Sequence, residues 1–277
     1  MTHEWTARDA AAVLRMPTAA DDKYSRGVLG VRTGSDRYPG AAVLGVEAAH
    51  RTGVGMVRYL GPERPTSLVL AQRPETVAAE GRVQAWLIGS GTDATERPAA
   101  ETHALRRLLD GDVPVVVDAG ALDLVPGRAG AAPVVATPHD REHARLRAAA
   151  GLEPVGADDP RAAASTAAAL GVAVLLKGHR TVVATPAGAI RTVTAPTAWL
   201  ATAGTGDVLA GILGALVAAA RPTDAEELGP LAATAALVHG RAALAASAAR
   251  SGGPVTALDV AGAVASVVGD LLAGRAH

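Results

Sequence analysis

The stretch Ala201–Ala220, ATAGTGDVLAGILGALVAAA, organises the reading of this chain. A glycine-threonine turn runs into an acidic residue and then into an apolar helix, with Val208, Leu209, Ile212, Leu213, Leu216 and Val217 at the spacing of one buried stripe. The pattern starts the helix at or beside Asp207. Its unpaired amides then point back at Gly204, Thr205 and Gly206, where small residues let an anion approach and the helix dipole favours negative charge. The result is a phosphate pocket with a carboxylate on its lip. A plainer reading makes Gly204 and Gly206 a tight turn and Asp207 a helix cap. Against it, a carboxylate beside a phosphate would repel the ligand unless a metal or a reacting hydroxyl stood between them, which points to base chemistry.

Working outward, strands and helices alternate. Gly27–Val31 reads as a buried strand, Thr33–Asp36 as a turn, and Pro39 opens a helix over Gly40–Arg51 that ends at Gly53-Val54-Gly55, where the glycine pair serves close packing. Further strands are expected at Met56–Leu60, Leu68–Leu70, Val83–Ile88, Val113–Val117, Val134–Ala136 and Val172–Leu176. Such alternation implies a mostly parallel sheet. Its strands lead into Gly89-Ser90-Gly91, Asp118-Ala119-Gly120 and Thr137-Pro138-His139, so these loops share the carboxyl edge where open α/β sheets bind ligands. Lys177–Thr181 joins a β-hairpin that turns at Pro186-Ala187-Gly188. Leu231–Arg250 and Ala257–Leu272 are two more helices, the second opened by Thr256 with Asp259 three residues on. Residues 1–22 read as a peripheral lead-in with a short helix over Thr6–Leu14, and residues 23–277 as one domain. The loops Glu153–Pro160 and Arg221–Pro230 are too short to link domains.

Composition narrows the function classes. With 277 residues, 49% hydrophobic positions and a formal charge of −1, the expectation is one large domain without a nucleic-acid partner. The uncharged run Val208–Ala220 is too short to span a bilayer, and the first residues lack a secretory signal's apolar centre, so a cytoplasmic location without a membrane partner is expected. The absence of cysteine excludes thiol nucleophiles and thiolate metal sites.

Eight short motifs in one order resemble the NAD(P)H-hydrate dehydratase family, a branch of the ribokinase-like superfamily. They are Gly34-Ser35, Pro39-Gly40-Ala41, Arg51–Gly55, Gly89-Ser90-Gly91, Asp118–Leu122, Thr137-Pro138-His139 with Glu142, Leu176-Lys177-Gly178 with Thr181, and Ala203–Asp207. The resemblance runs from about Lys23 to the C-terminus and implies a three-layer α/β/α fold around a mostly parallel sheet. It departs from the family pattern at Asp140-Arg141, where proline and glycine are usual. It departs again at Ala195–Trp199, where an Asn- and Gly-containing loop is usual, and at Asp22, which replaces a histidine.

The resemblance implies repair of NADH or NADPH that has taken up water across the nicotinamide ring. The S-epimer is phosphorylated from ADP (or ATP) with Mg²⁺, phosphate is then eliminated, and AMP is released. It assigns Ala41, Gly91, His139 and Asp207 to the hydrated nucleotide, with Asp207 the catalytic base. To the adenine nucleotide it assigns Lys177, Gly178, His179, Arg180, Thr181, Gly204, Thr205 and Gly206, and it leaves the metal ligands unassigned. It also implies a homo-oligomer, a tetramer, and a separate NAD(P)H-hydrate epimerase as functional partner, since many relatives carry an epimerase domain for which this chain has no room. The alternative is a ribokinase-like kinase of a vitamin precursor, which shares Gly204–Asp207 and leaves Thr137-Pro138-His139 and Lys177-Gly178 unexplained. A catalytically silent nucleotide sensor would have no use for Asp207. A Rossmann dehydrogenase would need a third glycine after Gly89-Ser90-Gly91.

Overall fold

The computed structural model describes residues 2–155 and 160–275, so part of the loop expected at Glu153–Pro160 lies outside the described residues. Nine strands form one sheet: β1 (Thr2–Glu4), β2 (Val28–Arg32), β3 (Met56–Tyr59), β4 (Ala85–Ile88), β5 (Val115–Val117), β6 (Val134–Ala136), β7 (Ala173–Leu176), β8 (Arg180–Ala184) and β9 (Ile190–Thr194). Their order is β1-β9-β8-β7-β6-β5-β4-β2-β3. From β3 across to β7 every pairing is parallel, whereas β7–β8 and β8–β9 are antiparallel, as the hairpin reading requires.

The central strands β4 to β7 are short apolar runs because both faces are covered. Alternate residues divide between two cores. Leu87, Val116, Val135 and Leu175 face one layer, and Ile88, Val115, Val117, Val134 and Val174 face the other. The first layer is built from α2 (Gly40–Thr52), α7 (Thr205–Ala220), α8 (Leu228–Ala248) and α9 (Ala257–Leu272), with α1 (Ala7–Val13) and α3 (Glu63–Gln72) at its margins. The second holds α4 (Ala99–Leu109), α5 (Asp140–Ala149) and α6 (Pro160–Leu170). Helix α8 is the one helix among the described residues long and apolar enough to cross a membrane, and 78% of its apolar window is buried inside the fold.

Three expectations are corrected. Leu68–Leu70 is no strand but the middle of α3: Leu68 and Leu70 are exposed and only Val69 between them is fully buried, a triplet too short to reveal its period. The first residues are not peripheral, because β1 pairs in parallel with β9 and the Trp5 indole donates to Thr234 on α8 at 3.1 Å. Helix α7 begins at Thr205, so Asp207 lies inside its first turn, and α8 begins at Leu228, three residues before its expected start. Other local readings hold. Thr256 and Asp259 form the expected capping box of α9, and a side chain at Gly55 would overlap the Lys23 carbonyl.

Candidate active site

The carboxyl ends of β4, β5, β6 and β7 deliver Gly89-Ser90-Gly91, Asp118, Thr137-Pro138-His139 and Lys177 to one edge of the sheet. The last two loops are tied directly, since the Lys177 amide donates to the Pro138 carbonyl at 2.8 Å. Across this edge lies the N-terminus of α7. Gly204 caps it in the left-handed region at φ +87°, and a side chain there would strike Leu44 of α2, so the turn requires glycine twice over. Thr205 is pinned by its hydroxyl, which donates to the carbonyls of Leu200 at 2.9 Å and Thr202 at 2.8 Å. The amides of Gly206 and Asp207 have no acceptor among the described residues and remain free for an anion.

Lys177 faces this turn: a methyl group added at Gly206 would stand 3.7 Å from its ammonium. Its Nζ donates to Asp118 Oδ1 at 2.8 Å and lies 3.7 Å from Glu142 Oε2. Asp118 is buried, and it also accepts from Thr137 Oγ1 at 2.7 Å and Ser90 Oγ at 2.8 Å. Burial opposes both charges. The mutual attraction outweighs it, so the Lys177 pKa lies above its ordinary value and the Asp118 pKa below. Asp118, whose role the sequence left open, is thus the buried counter-ion that holds Lys177 under the anion pocket.

Asp207 receives the opposite treatment. Burial, then repulsion by Asp118, pushes its carboxyl up to about 7 against the pull of Lys177. A carboxylate near neutrality beside an anion pocket is suited to take a proton from a substrate hydroxyl. Helix α2 closes the other side of the turn, where a side chain at Gly45 would meet the Asp207 carbonyl at 3.5 Å. One turn earlier, buried Ala41 packs against Gly91, whose φ of +66° and crowding by Ala41 and the Tyr38 carbonyl leave room for glycine alone. Ser35 Oγ donates to the Gly91 carbonyl at 2.9 Å and fixes the loop.

His139 caps α5. Its Nδ1 accepts from the amides of Arg141 at 3.1 Å and Glu142 at 3.3 Å, while Glu142 Oε2 accepts from the His139 amide at 2.9 Å. Asp140 and Arg141, the departures from the family pattern, therefore enter a regular first helical turn. The rest of the half-exposed ring faces a cavity of about 590 Å³. Lys177, Gly178, His179, Thr181, Thr205 and Gly206 line its polar end, and Leu200, Leu209 and Ala236 are among its apolar walls. Arg180 is not brought there: it is exposed on β8 with its guanidinium 3.5 Å from Thr192 Oγ1. Sequence reading missed His239, a buried wall of this cavity, because one histidine in an alanine-rich helix carries no pattern.

Known proteins resemble this chain in sequence and fold. A profile of the family described as NAD(P)H-hydrate dehydratase matches residues 29–264. A bifunctional NAD(P)H-hydrate repair enzyme of Mycobacterium tuberculosis is 48% identical over 229 residues, which cover 78% of this chain and 46% of its own, so the chain spans about half the length of that relative. An ADP-dependent (S)-NAD(P)H-hydrate dehydratase of Neisseria meningitidis is 37% identical over 216 residues, 72% of each chain. Among solved structures, an ADP/ATP-dependent NAD(P)H-hydrate dehydratase from Bacillus subtilis, co-crystallized with ATP/Mg²⁺, superposes with a TM-score of 0.82 at 27% identity, covering 97% of this chain and 98% of the other. A ribokinase-like superfamily protein from Enterococcus faecalis, at 22% identity and a TM-score of 0.83 over 98% and 96% of the two chains, shares the fold. With the ribokinase-like fold, the motif order and the profile in agreement over most of its length, the chain belongs to the NAD(P)H-hydrate dehydratase family.

Proposed function

We propose that this protein dehydrates the S-epimer of hydrated NADH or NADPH, using ADP as phosphoryl donor and releasing AMP and phosphate. The observation that carries the reading is the Asp207 carboxyl, raised to about 7 at the lip of two free helix amides with the Lys177 ammonium beneath. Hydroxide is a poor leaving group and phosphate a good one. Asp207 takes the proton of the ring hydroxyl as its oxygen attacks the terminal phosphorus of the donor, and the bond from that phosphorus to the bridging oxygen of AMP breaks. The amides of Gly206 and Asp207 and the Lys177 ammonium stabilise the transferring group. The ring nitrogen's lone pair then expels phosphate, and loss of the neighbouring ring proton restores the dihydronicotinamide.

In this reading Ala41, Gly91 and His139 border the hydrated nicotinamide nucleotide. Lys177–Thr181 and Gly204–Gly206 border the adenine nucleotide, with Arg180 reaching it only by turning away from Thr192. Among the described residues no three carboxylate or imidazole groups converge as a metal cage, which suits an Mg²⁺ that enters on the nucleotide phosphates and keeps its waters. When bound it would neutralise phosphate charge. The names of the bifunctional relatives support an epimerase as functional partner. We further take the protein to be a cytoplasmic homotetramer.

The test is direct. Purified protein is incubated with acid-hydrated NADH, Mg²⁺ and ADP or ATP while the absorbance of reduced nicotinamide is followed. Recovery with ADP, AMP appearing in step, is expected. Recovery without any nucleotide would overturn the reading, and a stable phosphorylated product that never eliminates would favour a small-molecule kinase instead.

A further inference from the structure

The segment that departs from the family pattern also forms a wall of the cavity. Ala195, Thr197, Ala198, Leu200 and Ala201 line it, while Ala198, Trp199 and Ala201 are exposed, so this wall is one chain thick with solvent behind it. A wall so thin keeps its place only where it is tied. Its near end is held twice: the Ala195 amide donates to the His179 carbonyl at 2.8 Å, and Pro196 packs on α8, where a side chain at Gly240 would come within 2.9 Å of the proline ring. Its far end runs into the phosphate turn, with Thr205 Oγ1 donating to the Leu200 carbonyl at 2.9 Å and Thr202 Oγ1 to the Trp199 carbonyl at 2.8 Å. Between them Ala198–Leu200 forms a single helical turn, opened by Thr197 Oγ1, which accepts from the Trp199 amide at 3.2 Å.

The bonds of that turn are local but for one. The Trp199 indole N–H donates to the Gly252 carbonyl at 3.0 Å, 53 residues away and just past the end of α8. Among the described residues no other hydrogen bond joins residues 197–201 to a residue outside 197–205. Gly252 is itself fixed, because its amide donates to the Ser247 carbonyl at 2.9 Å and the Ser247 hydroxyl to the Gly253 carbonyl at 2.8 Å. Helix α8 also supplies Ala236 to the cavity, so the indole bond joins two of its walls and sets the distance between them. Trp199 is 42% exposed and does not line the cavity, so it acts through the segment it holds.

We propose that Trp199 is a positioning residue for the phosphoryl donor, its indole bond to the α8–α9 turn holding residues 197–201 against the bound nucleotide. The role rests on the reading that this cavity holds the adenine nucleotide. Water competes for a bond so exposed, so the wall alternates between held and released, and only the held wall meets the nucleotide along its length. Reciprocity follows. A bond that strengthens nucleotide binding must itself be strengthened by the nucleotide, by the same factor.

Trp199→Phe keeps an aromatic ring and removes the donor. Calorimetry should find ADP bound about three- to tenfold more weakly, the worth of one partly exposed hydrogen bond, and KM for ADP should rise with it. KM for hydrated NADH and kcat at saturating ADP should not change, a split that general loosening of the fold would not give. In wild type, magnetic resonance of the indole N–H protons reads the bond itself. The chain has three tryptophans, and the signal absent from Trp199→Phe is that of Trp199. Its exchange with solvent should slow by a similar factor when ADP is saturating, while the signals of Trp5 and Trp86 hold steady. Circular dichroism checks that the variant is folded, and slowing of none of the three wild-type signals overturns the proposal without it. Unchanged ADP binding by folded Trp199→Phe, or equal losses for both substrates, also overturns it. Failure of wild type to bind ADP at all overturns instead the nucleotide reading beneath it.

Discussion

In the proposed reading Asp207 feels two opposed demands, because the burial that suits it to act as a base also makes its ionised form expensive. As a base it must be deprotonated, so kcat/KM should fall as pH drops below about 7, approaching tenfold per pH unit. For stability the sign is the reverse: its folded pKa lies above the ordinary 3.8, so its contribution is fully present below about pH 4 and is lost as pH rises through 7. Asp207→Asn cannot ionise and retains the side-chain size. It should melt above wild type at pH 8, by roughly 1 kcal/mol or more of stability, and match it near pH 4, while turnover falls by about 10² to 10⁴. Melting curves at the two pH values and steady-state rates check both halves, and a variant keeping more than about a tenth of wild-type turnover would reduce Asp207 to a helix residue. Lys177 needs a different experiment, because Lys177→Ala would strand the buried Asp118 charge at a cost of about 3–5 kcal/mol. The pair Lys177→Met with Asp118→Asn removes both charges, so it should recover most of that stability in urea melts while calorimetry still finds ADP binding weakened. Asp207 and Lys177 were legible because each ends a readable element. The role of Asp118 was not, because its partner lies 59 residues away and only the sheet brings them together.

Helices α2 and α7 meet through glycine, and that meeting positions both halves of the site. A side chain at Gly211 would overlap the Gly45 carbonyl, so the two backbones are in direct apposition one turn from Asp207 on α7 and one turn from Ala41 on α2. Gly211→Ala should therefore destabilise by about 1–3 kcal/mol through overpacking, even though alanine is the better helix former by about 1 kcal/mol. The displaced α2 would also press Ala41 on Gly91, so KM for the hydrated nucleotide should rise more than KM for ADP, which steady-state kinetics can read. Equal stability of wild type and variant would mean that the helices separate freely and do not fix the site. Elements of this kind, long and strongly apolar, were readable from their period; the α9 start was readable from its capping box. Failures fell on the short ones. Strand β1 is three exposed residues whose place comes from β9, and the middle of α3 offers three apolar residues that fit either period.

On the scale of the whole molecule, the parallel part of the sheet does the gathering: strands that all run one way deliver their following loops to one edge, so short segments spread from residue 41 to residue 207 converge. The family pattern was visible for that reason, since the motifs occur at successive strand ends in a fixed order. What the pattern could not reveal is the apolar side of the cavity beyond the phosphate turn, because those walls come from the Ala195–Trp199 departure, Leu200 and α8, none of which repeats a motif. The gathering also sets the limit of what one such sheet can do. In the proposed reading it presents one base, Asp207, to one face of a bound ring, and a base fixed in place reaches the hydroxyl of one epimer and not of its mirror arrangement at the same carbon. Acid hydration of NADH produces both epimers. With excess ADP and Mg²⁺, recovery of reduced-nicotinamide absorbance should therefore stop short of completion with this protein alone, and should run on when an NAD(P)H-hydrate epimerase is added. A second addition of the dehydratase in place of the epimerase should yield nothing more within minutes. Complete and rapid recovery without epimerase would mean that both epimers reach Asp207, and the single-base geometry proposed here would be wrong.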